Sequence, residues 1–228
     1  PTGVELACKM SDLVKNKVEI YLVDKGIKIL SKSKSFNREK AMDAIAERNI
    51  KIYLEHNIKS INENTIELCS VQNDKDDSLK INYSGFLWTA GLKPSRLQTV
   101  DCLLDKNKKI KVNKFLQINE HQNIFWVGDI VFCEKDPFPS SAQVAMQQGY
   151  LTGQNIMSLR HGVQMKSFQF EDLGEMLSLG IGNASITGYG ITLSGPLAFK
   201  IRHFAYLMRM PGFSLSLKSA GSRVFSKK

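Results

Sequence analysis

From residue 2 to about residue 88 the chain alternates between two hydrophobic periods, and that alternation admits few architectures. "TGVELACKMSDLVKN" sets Val4, Leu6, Ala7, Met10 and Leu13-Val14 at the spacing of a helix lying on a sheet. "KVEIYLVDKG" follows with Val18, Ile20, Leu22 and Val23, a buried strand ended by Asp24 and Gly26. "NREKAMDAIAERN" is a second helix, with Ala41, Met42 and Ile45 apolar and Asn37 the expected N-cap. Lys40, not Glu, stands three residues on, so no capping box forms. "IKIYLEHNIKSI" and "TIELCSV" read as further strands and "NDKDDS" as a polar turn. "LKINYSGFLWTAGLKP" holds another strand, closing on Gly91 and Pro94. Strands alternating with helices predict an α/β fold with a parallel sheet.

A dinucleotide fold of that kind carries G-x-G-x-x-G where its first strand turns into a helix, and an acid about 20 residues further on. Here Gly3 opens a helix, and Asp24 stands at a strand end 21 residues later. Only the final glycine of the pattern is present; the earlier two and their strand would precede Pro1. By itself the spacing is weak, because glycine before a helix and aspartate after a strand are common. Glu5 in the first helical turn is either a charge favoured by the helix dipole or a group near a bound nicotinamide, and spacing does not separate the two.

The middle of the chain raises a second question. Ile124-Phe125-Trp126-Val127 reads as a buried strand, yet it runs straight into Gly128 and Asp129. "KIKV" and "FLQI" are short strands before it, residues 107 to 109 read as a hairpin tip, and His121 falls in a solvated turn. After Asp129, Pro137 and Pro139 break regular structure, and Ser140 or Ser141 can cap a helix from about Ala142 to Leu159. That helix has Val144, Ala145, Tyr150-Leu151, Ile156 and Leu159 apolar, with Gln143, Gln147 and Gln148 near its start. A carboxylate repels phosphate but accepts from a hydroxyl, while helix N–H groups suit an anion or an acceptor edge. Strand-end acid, proline turn and helix start thus form either a rim around a polar cofactor or an ordinary capped turn.

The net charge of +9 is compatible with nucleic acid, a phosphate-rich ligand or an anionic membrane. No interleaving of aromatic and basic residues, zinc-finger spacing or basic zipper is present, which argues against nucleic acid. Cys8, Cys69, Cys102 and Cys133 lie far apart without C-x-x-C spacing, so they read as core residues in a reducing compartment. The chain opens on "PTGVELACKM", without methionine and already inside a motif, and so reads as a piece of something longer.

Residues 176 to 199 carry no charge, which first suggests a membrane span. Gly180, Gly182, Gly188, Gly190 and Gly195, with Asn183, Ser185 and Thr187 between them, favour short strands and tight turns instead. "GPLAFKIRHFAYLMRMPG" then reads as a helix with Pro196 in its first turn and Pro211-Gly212 as its end. Leu197, Ile201, Phe204, Ala205, Leu207 and Met208 give it a broad apolar surface; Lys200, Arg202, His203 and Arg209 add charge. Residues 160 to 228 hold nine Lys or Arg against three Asp or Glu, a difference of +6. Such a helix either rests on an anionic membrane surface or docks on its own protein or a second copy. The final "SLKSAGSRVFSKK" has basic residues and little pattern.

"PTGVE", "WTAG", "IFWVGD" and "AQVAMQQG", in this order and at these distances, resemble the pyridine-nucleotide–disulfide oxidoreductase superfamily. Within it the resemblance is to type II, single-subunit NADH:quinone oxidoreductases, and it extends over essentially the whole chain. It implies a Rossmann-like flavoprotein with two dinucleotide domains, present here as an N-terminally incomplete copy. Residues 1–87 would be the NAD(P)H-binding domain, 88–160 the returning part of the FAD domain, and 161–228 a C-terminal module of strands and an amphipathic helix that associates with the membrane.

The resemblance also implies site residues. Gly3 matches the last glycine of the NADH fingerprint, Glu5 the helix-start acid near the nicotinamide, and Asp24 the acid on the NAD ribose, which favours NADH over NADPH. Gly91 belongs to the "WTAG" motif. Gly128 and Asp129 match the pair whose acid holds the FAD ribityl chain. Ala142, Gln143 and Val144 match the segment beneath the flavin ring, beside the quinone. Met146 stands where some relatives have histidine, which weakens a charged quinone contact there. Glu5 and Gln143 are the expected catalytic groups, FAD the cofactor and NADH the co-substrate, with no metal. The implied chemistry is ping-pong: hydride from NADH to flavin, then two electrons to a membrane quinone. The implied location is peripheral, on a membrane facing a reducing compartment, with monomer and homodimer both open. An inactive nucleotide-binding fragment and a soluble NADH-dependent flavin reductase are the alternatives.

Overall fold

The computed structural model describes residues 1–15, 17–72, 78–91, 109–119, 121–134, 137–210, 212, 215 and 218. Residues 73–77 of "NDKDDS", Pro94, Cys102, residues 107 to 108 of the expected hairpin tip, Pro211 and the last ten residues lie outside them. In chain order the elements are α1 (Thr2–Leu13), β1 (Tyr21–Val23), α2 (Ser35–Glu47), β2 (Lys51–Tyr53), β3 (His56–Ile61), β4 (Thr65–Ser70) and β5 (Ser78–Asn82). There follow β6 (Ile110–Lys111), β7 (Gln117–Ile118), β8 (His121–Phe125), β9 (Val131–Phe132) and α3 (Ala142–Arg160). The chain closes with β10 (Glu175–Ser178), β11 (Ala184–Gly188), β12 (Ile191–Gly195) and α4 (Pro196–Met208). It forms two compact units, one of residues 1–90 with 174–228, the other of residues 91–173.

In the first unit β1 and β2 pair in parallel, Leu22 opposite Ile52, with α2 as the crossover between them. The rest of its strands depart from the expected parallel sheet. β3, β4 and β5 form an antiparallel meander. Three residues, 62 to 64, join β3 to β4, and a parallel crossover needs a dozen or more. "IKIYLEHNIKSI" is therefore two strands in two sheets, broken at Glu55, whose φ is +54°. Residues 175–195 form the expected short strands, an antiparallel sheet in the order β10-β11-β12. Leu177 of β10 and Leu179 just after it are buried in one core with Val4, Ala7 and Cys8 of α1 and Ala41, Ala44 and Ile45 of α2.

Asn37 is not the cap of α2. The helix starts earlier, at Ser35, and its N-cap Lys34 makes no side-chain capping bond. A carboxylate from far along the chain serves instead: Glu175 accepts from Lys34 N at 3.0 Å, Ser33 Oγ at 2.7 Å and Asn37 Nδ2 at 2.9 Å. Asn37 is fully buried, and its Oδ1 accepts from Thr187 Oγ1 at 3.0 Å.

In the second unit β6 and β9 pair in parallel and β7 and β8 antiparallel, around a core that includes Ile110, Leu116, Ile118, Val131, Val144 and Phe168. β8 begins at His121, so that residue opens a strand instead of sitting in a turn. The strand stops at Phe125 and is mostly exposed, so Asp129 does not end a buried strand. The inner face of α3 also differs from expectation. Val144, Gln148, Thr152 and Asn155 are its buried residues, whereas Tyr150, Ile156 and Leu159 are exposed.

Arg48, the C-cap of α2, grips Asp12 of α1 through Nε to Oδ1 at 2.8 Å and Nη2 to Oδ2 at 3.1 Å, and Ile181 N donates to Asp12 Oδ2 at 2.6 Å. Burial alone would raise the Asp12 carboxyl, but the Arg48 bonds and the Ile181 N–H together hold it below its ordinary value. The folded value lies below the unfolded one, so this stabilisation is complete above the unfolded pKa and is lost as pH falls through the folded one. Arg48→Met should cost roughly 2 kcal/mol at pH 7. In urea unfolding the gap between wild type and variant should narrow below about pH 4, where unfolded aspartate becomes protonated; a gap independent of pH would contradict this role.

Candidate functional site

Gly3 and Glu5 lie in the first turns of α1. An added Cβ at Gly3 would stand 2.9 Å from Thr89 Oγ1 and 3.8 Å from Leu22 Cδ2. Glycine is what lets α1 start this close to β1 and to the residue after Trp88, which is the packing job of the last fingerprint glycine. β1 ends one residue before Asp24, whose backbone N donates to Tyr53 O at 2.9 Å. Asp24 Oδ1 accepts from Gly26 N at 2.7 Å, and the carboxylate is exposed. Gly3, Glu5 and Asp24 thus belong to one helix–strand pair, with an accepting group in solvent at the strand end.

Glu5 is tied to the end of the chain. Its Oε1 accepts from Ser178 N at 2.7 Å and from Arg202 Nη2 at 3.3 Å. Arg202 sits on α4 with its guanidinium 4.7 Å from the Tyr206 ring, and its Nε is buried without a partner among the described residues. Ser178, Arg202 and Thr89 are contacts the sequence did not single out. Arg202 is one of several basic residues in and after α4, and nothing local set it apart from Lys200 or Arg209; Ser178 acts through its backbone and carries no signal.

In the second unit Gly128 and Asp129 turn the chain between β8 and β9. Asp129 is exposed, and its side chain has no partner among the described residues. Gly128 N donates to Oε1 of the buried Gln148 at 2.7 Å. An added Cβ at Gly128 would stand 3.9 Å from Ala145 Cβ, so the turn lies on the first turns of α3. Ser141 caps that helix by accepting from Val144 N at 3.2 Å. Ala142 is exposed, Val144 is buried in the core, and Gln143 Oε1 accepts from Leu173 N at 2.9 Å. Gly91 is exposed, with φ +77°.

Two more carboxamides of α3 bind the same returning segment. Gln147 donates to Glu171 O at 2.8 Å and accepts from Glu171 N at 3.0 Å. Asn155 does the same with Lys166, at 2.9 Å each way. The helix edge meets the backbone of residues 166–173 as a neighbouring strand would.

Burial pushes the Cys8 thiol up to about 11, so it stays protonated at neutral pH and is no nucleophile. Among the described residues no group of three or more His, Cys, Asp or Glu is arranged to hold a metal ion, and no helix is long and apolar enough to cross a membrane. Of the sequence-predicted site residues, two are exposed carboxylates: Asp24 after the strand whose Leu22 lies near the start of α1, and Asp129 in the turn on the first turns of α3. Each can accept hydrogen bonds from hydroxyls, as of a ribose or polyol chain, and would repel a phosphate.

Residues 1–149 match the family described as pyridine nucleotide-disulphide oxidoreductase. The chain belongs to that family. Among individual members it is 31% identical over 214 residues to demethylphylloquinone reductase NdbB of Synechocystis sp., covering 92% of this chain and 52% of that protein. It is 29% identical over 213 residues to the type II NADH:quinone oxidoreductase of Staphylococcus aureus, covering 87% and 51%. The solved structure of NDH2 from Plasmodium falciparum in complex with NADH shares its fold over 93% of this chain and 61% of that one, with a TM-score of 0.82 at 14% identity. This oxidoreductase-family chain spans about half the length of the two relatives it matches in sequence.

The Gly3–Thr89 approach gives a double-mutant test. Alanine in place of helical glycine gains up to about 1 kcal/mol, and the clash with Thr89 opposes it. Gly3→Ala should leave stability nearly unchanged in the wild-type background. It should stabilise by about 1 kcal/mol once Thr89→Ala has removed the hydroxyl. Equal effects in both backgrounds, by thermal unfolding, would mean that the two residues do not touch.

Proposed function

We propose that this chain supplies the nucleotide-holding and flavin-holding parts of an FAD-dependent NADH:quinone oxidoreductase. The observation that carries the reading is the pair of exposed carboxylates, Asp24 directly after β1, which packs near the start of α1, and Asp129 after Gly128, in the turn lying on the first turns of α3. Relatives named for NADH:quinone and demethylphylloquinone reduction support it.

In this reading Asp24 accepts hydrogen bonds from the NADH ribose, and its negative charge disfavours a 2′-phosphate. Gly3 admits the nucleotide-facing start of α1. Glu5, at that start, orients groups near the nicotinamide while its Oε1 stays tied to Ser178 and Arg202. Asp129 takes flavin ribityl hydroxyls, and Gly91 lines the flavin from the "WTAG" segment. Ala142, Gln143 and Val144 form the helix start beneath the ring, with Gln143 nearest the quinone. Bound flavin supplies the redox chemistry, so that NADH, a proton and quinone become NAD⁺ and quinol. Protein groups bind, orient and exclude water.

A lipid-soluble quinone calls for a membrane-facing approach, and α4 supports one. Leu197, Ile201, Phe204 and Met208 are all exposed and recur at helical spacing along one stripe. Lys200 and Arg209, also exposed, add positive charge suited to anionic headgroups. Cys8, Cys69 and Cys133 are free thiols, which accords with a reducing compartment.

The first test is the flavin absorption spectrum of the 228-residue chain purified with added FAD. About one flavin per chain, bleached by NADH and restored by a quinone, supports the reading. A chain that binds none has no independent activity of this kind. In the complete enzyme Asp129→Ala should lower flavin retention, and unchanged occupancy would remove its role. Asp24→Ala should raise the KM for NADH about tenfold, the effect of one or two lost hydrogen bonds, with flavin content unchanged. An unaltered NADH dependence would sink that assignment.

A further inference from the structure

The turn that carries Asp129 is held at its edges, where Trp126 N donates to Leu116 O at 3.0 Å and Ile130 O accepts from Ile110 N at 2.8 Å; Gly128 and Asp129 lie between these anchors. β8 ends at Phe125 and β9 begins at Val131, and the residues between belong to neither strand. Gly128 sits at φ +87°, a conformation open to glycine and strained for other residues. The freedom that admits this φ also leaves it unrestrained, because glycine samples both signs of φ at similar cost. Two hydrogen bonds fix it. Gly128 O accepts from Val131 N at 3.2 Å, and Gly128 N donates to Gln148 Oε1 at 2.7 Å.

Gln148 is an expensive residue for its place. It is fully buried on the inner face of α3, and its Nε2 has no partner among the described residues. Leaving a buried donor unmade costs about 1–3 kcal/mol, a penalty that methionine or leucine of similar volume would avoid. The carboxamide is explained by its other end, the one acceptor that reaches the Gly128 N–H. Thr152, one turn along the same face, is also buried with an unpartnered Oγ1, but it has no bond to the turn. It is a natural control for the loss of a buried polar atom.

We infer that Gln148 is the positioning residue of the Gly128–Asp129 turn: by accepting the Gly128 N–H it aims the Asp129 carboxylate at the hydroxyls of a flavin polyol chain. This rests on the flavin reading of Asp129 given above. Gln148 touches neither flavin nor substrate in this account. It acts through the peptide before Asp129, and it couples the packing of α3 to the direction of that one carboxylate.

The test compares Gln148→Met, Gln148→Glu and Thr152→Val in this chain, with two readouts. FAD affinity is measured by titration at pH 6, where a buried glutamic acid is neutral and keeps an acceptor oxygen. Exchange of the Gly128 amide proton is followed by NMR without flavin. Gln148→Met should weaken FAD binding about tenfold, as for one lost hydrogen bond, and deprotect the Gly128 amide. Gln148→Glu and Thr152→Val should stay within about twofold of wild type with the amide protected. Equal weakening in Gln148→Met and Thr152→Val would make the effect one of packing and overturn the inference, as would unchanged affinity in Gln148→Met. If wild type binds no FAD, the flavin reading falls for this chain, while Gly128 exchange still decides whether Gln148 holds the turn. If Gln148→Met does not fold, wild type decides alone: a Gly128 amide exchanging as fast as a solvent-exposed one overturns the inference.

Discussion

Three carboxylates that reach backbone N–H groups far away in the chain hold the first unit together. Glu5 and Asp12 stand seven residues apart on α1, hence on one face, and accept from Ser178 N and Ile181 N at 2.7 and 2.6 Å. Glu175 runs the other way, from the tail sheet to Lys34 N at the start of α2. Bonds from N–H to an ionised acceptor are shorter and about twice as strong as neutral ones. Between these anchors Leu177 and Leu179 enter the core of α1 and α2. The sheet β10-β11-β12 is thus fastened at both ends by charge and in the middle by apolar burial.

That fastening gives Glu5 a double position. It stands at the positive end of α1, where an anion is favoured, and it also carries a strand amide and the Arg202 guanidinium on a single oxygen. The ion pair is partly exposed and long at 3.3 Å, so the Ser178 bond is the firmer of the two. Arg202 belongs to α4, and a different face of that helix carries the exposed apolar stripe. The start of the proposed nucleotide helix and the proposed membrane helix are therefore one contact apart.

The four helices were legible because each carries local signals: apolar spacing in α1 and α2, Ser141 ahead of α3, Pro196 opening α4. Asp24 and Asp129 were legible as charges that apolar runs have no local reason to end on. The failures share one cause, a partner distant in sequence. Asn37 looked like a cap because nothing local showed Glu175 arriving 138 residues later. β2 and β3 looked like one strand because the apolar pattern runs across Glu55, and only its positive φ separates two sheets. The inner face of α3 was misread because apolar count was taken as burial, and Gln148 and Asn155 are buried for their bonds.

α3 shows why a polar helix face can be the correct one to bury. The segment after it, residues 166–173, joins no sheet, so its N–H and C=O groups find no strand neighbour. Gln143, Gln147 and Asn155 supply partners from the helix, each amide side chain meeting peptide groups in the way a second strand would. Gln148 extends the same device to the turn before β9. An apolar α3 would pack the core as well, but it would leave the peptide groups of Lys166, Glu171 and Leu173 and the Gly128 N–H without the side-chain partners they have here. The run of glutamines that marks this helix in the sequence is therefore a scaffold requirement first. Whatever the helix start offers to a flavin or quinone is built on side chains that already hold the chain around it.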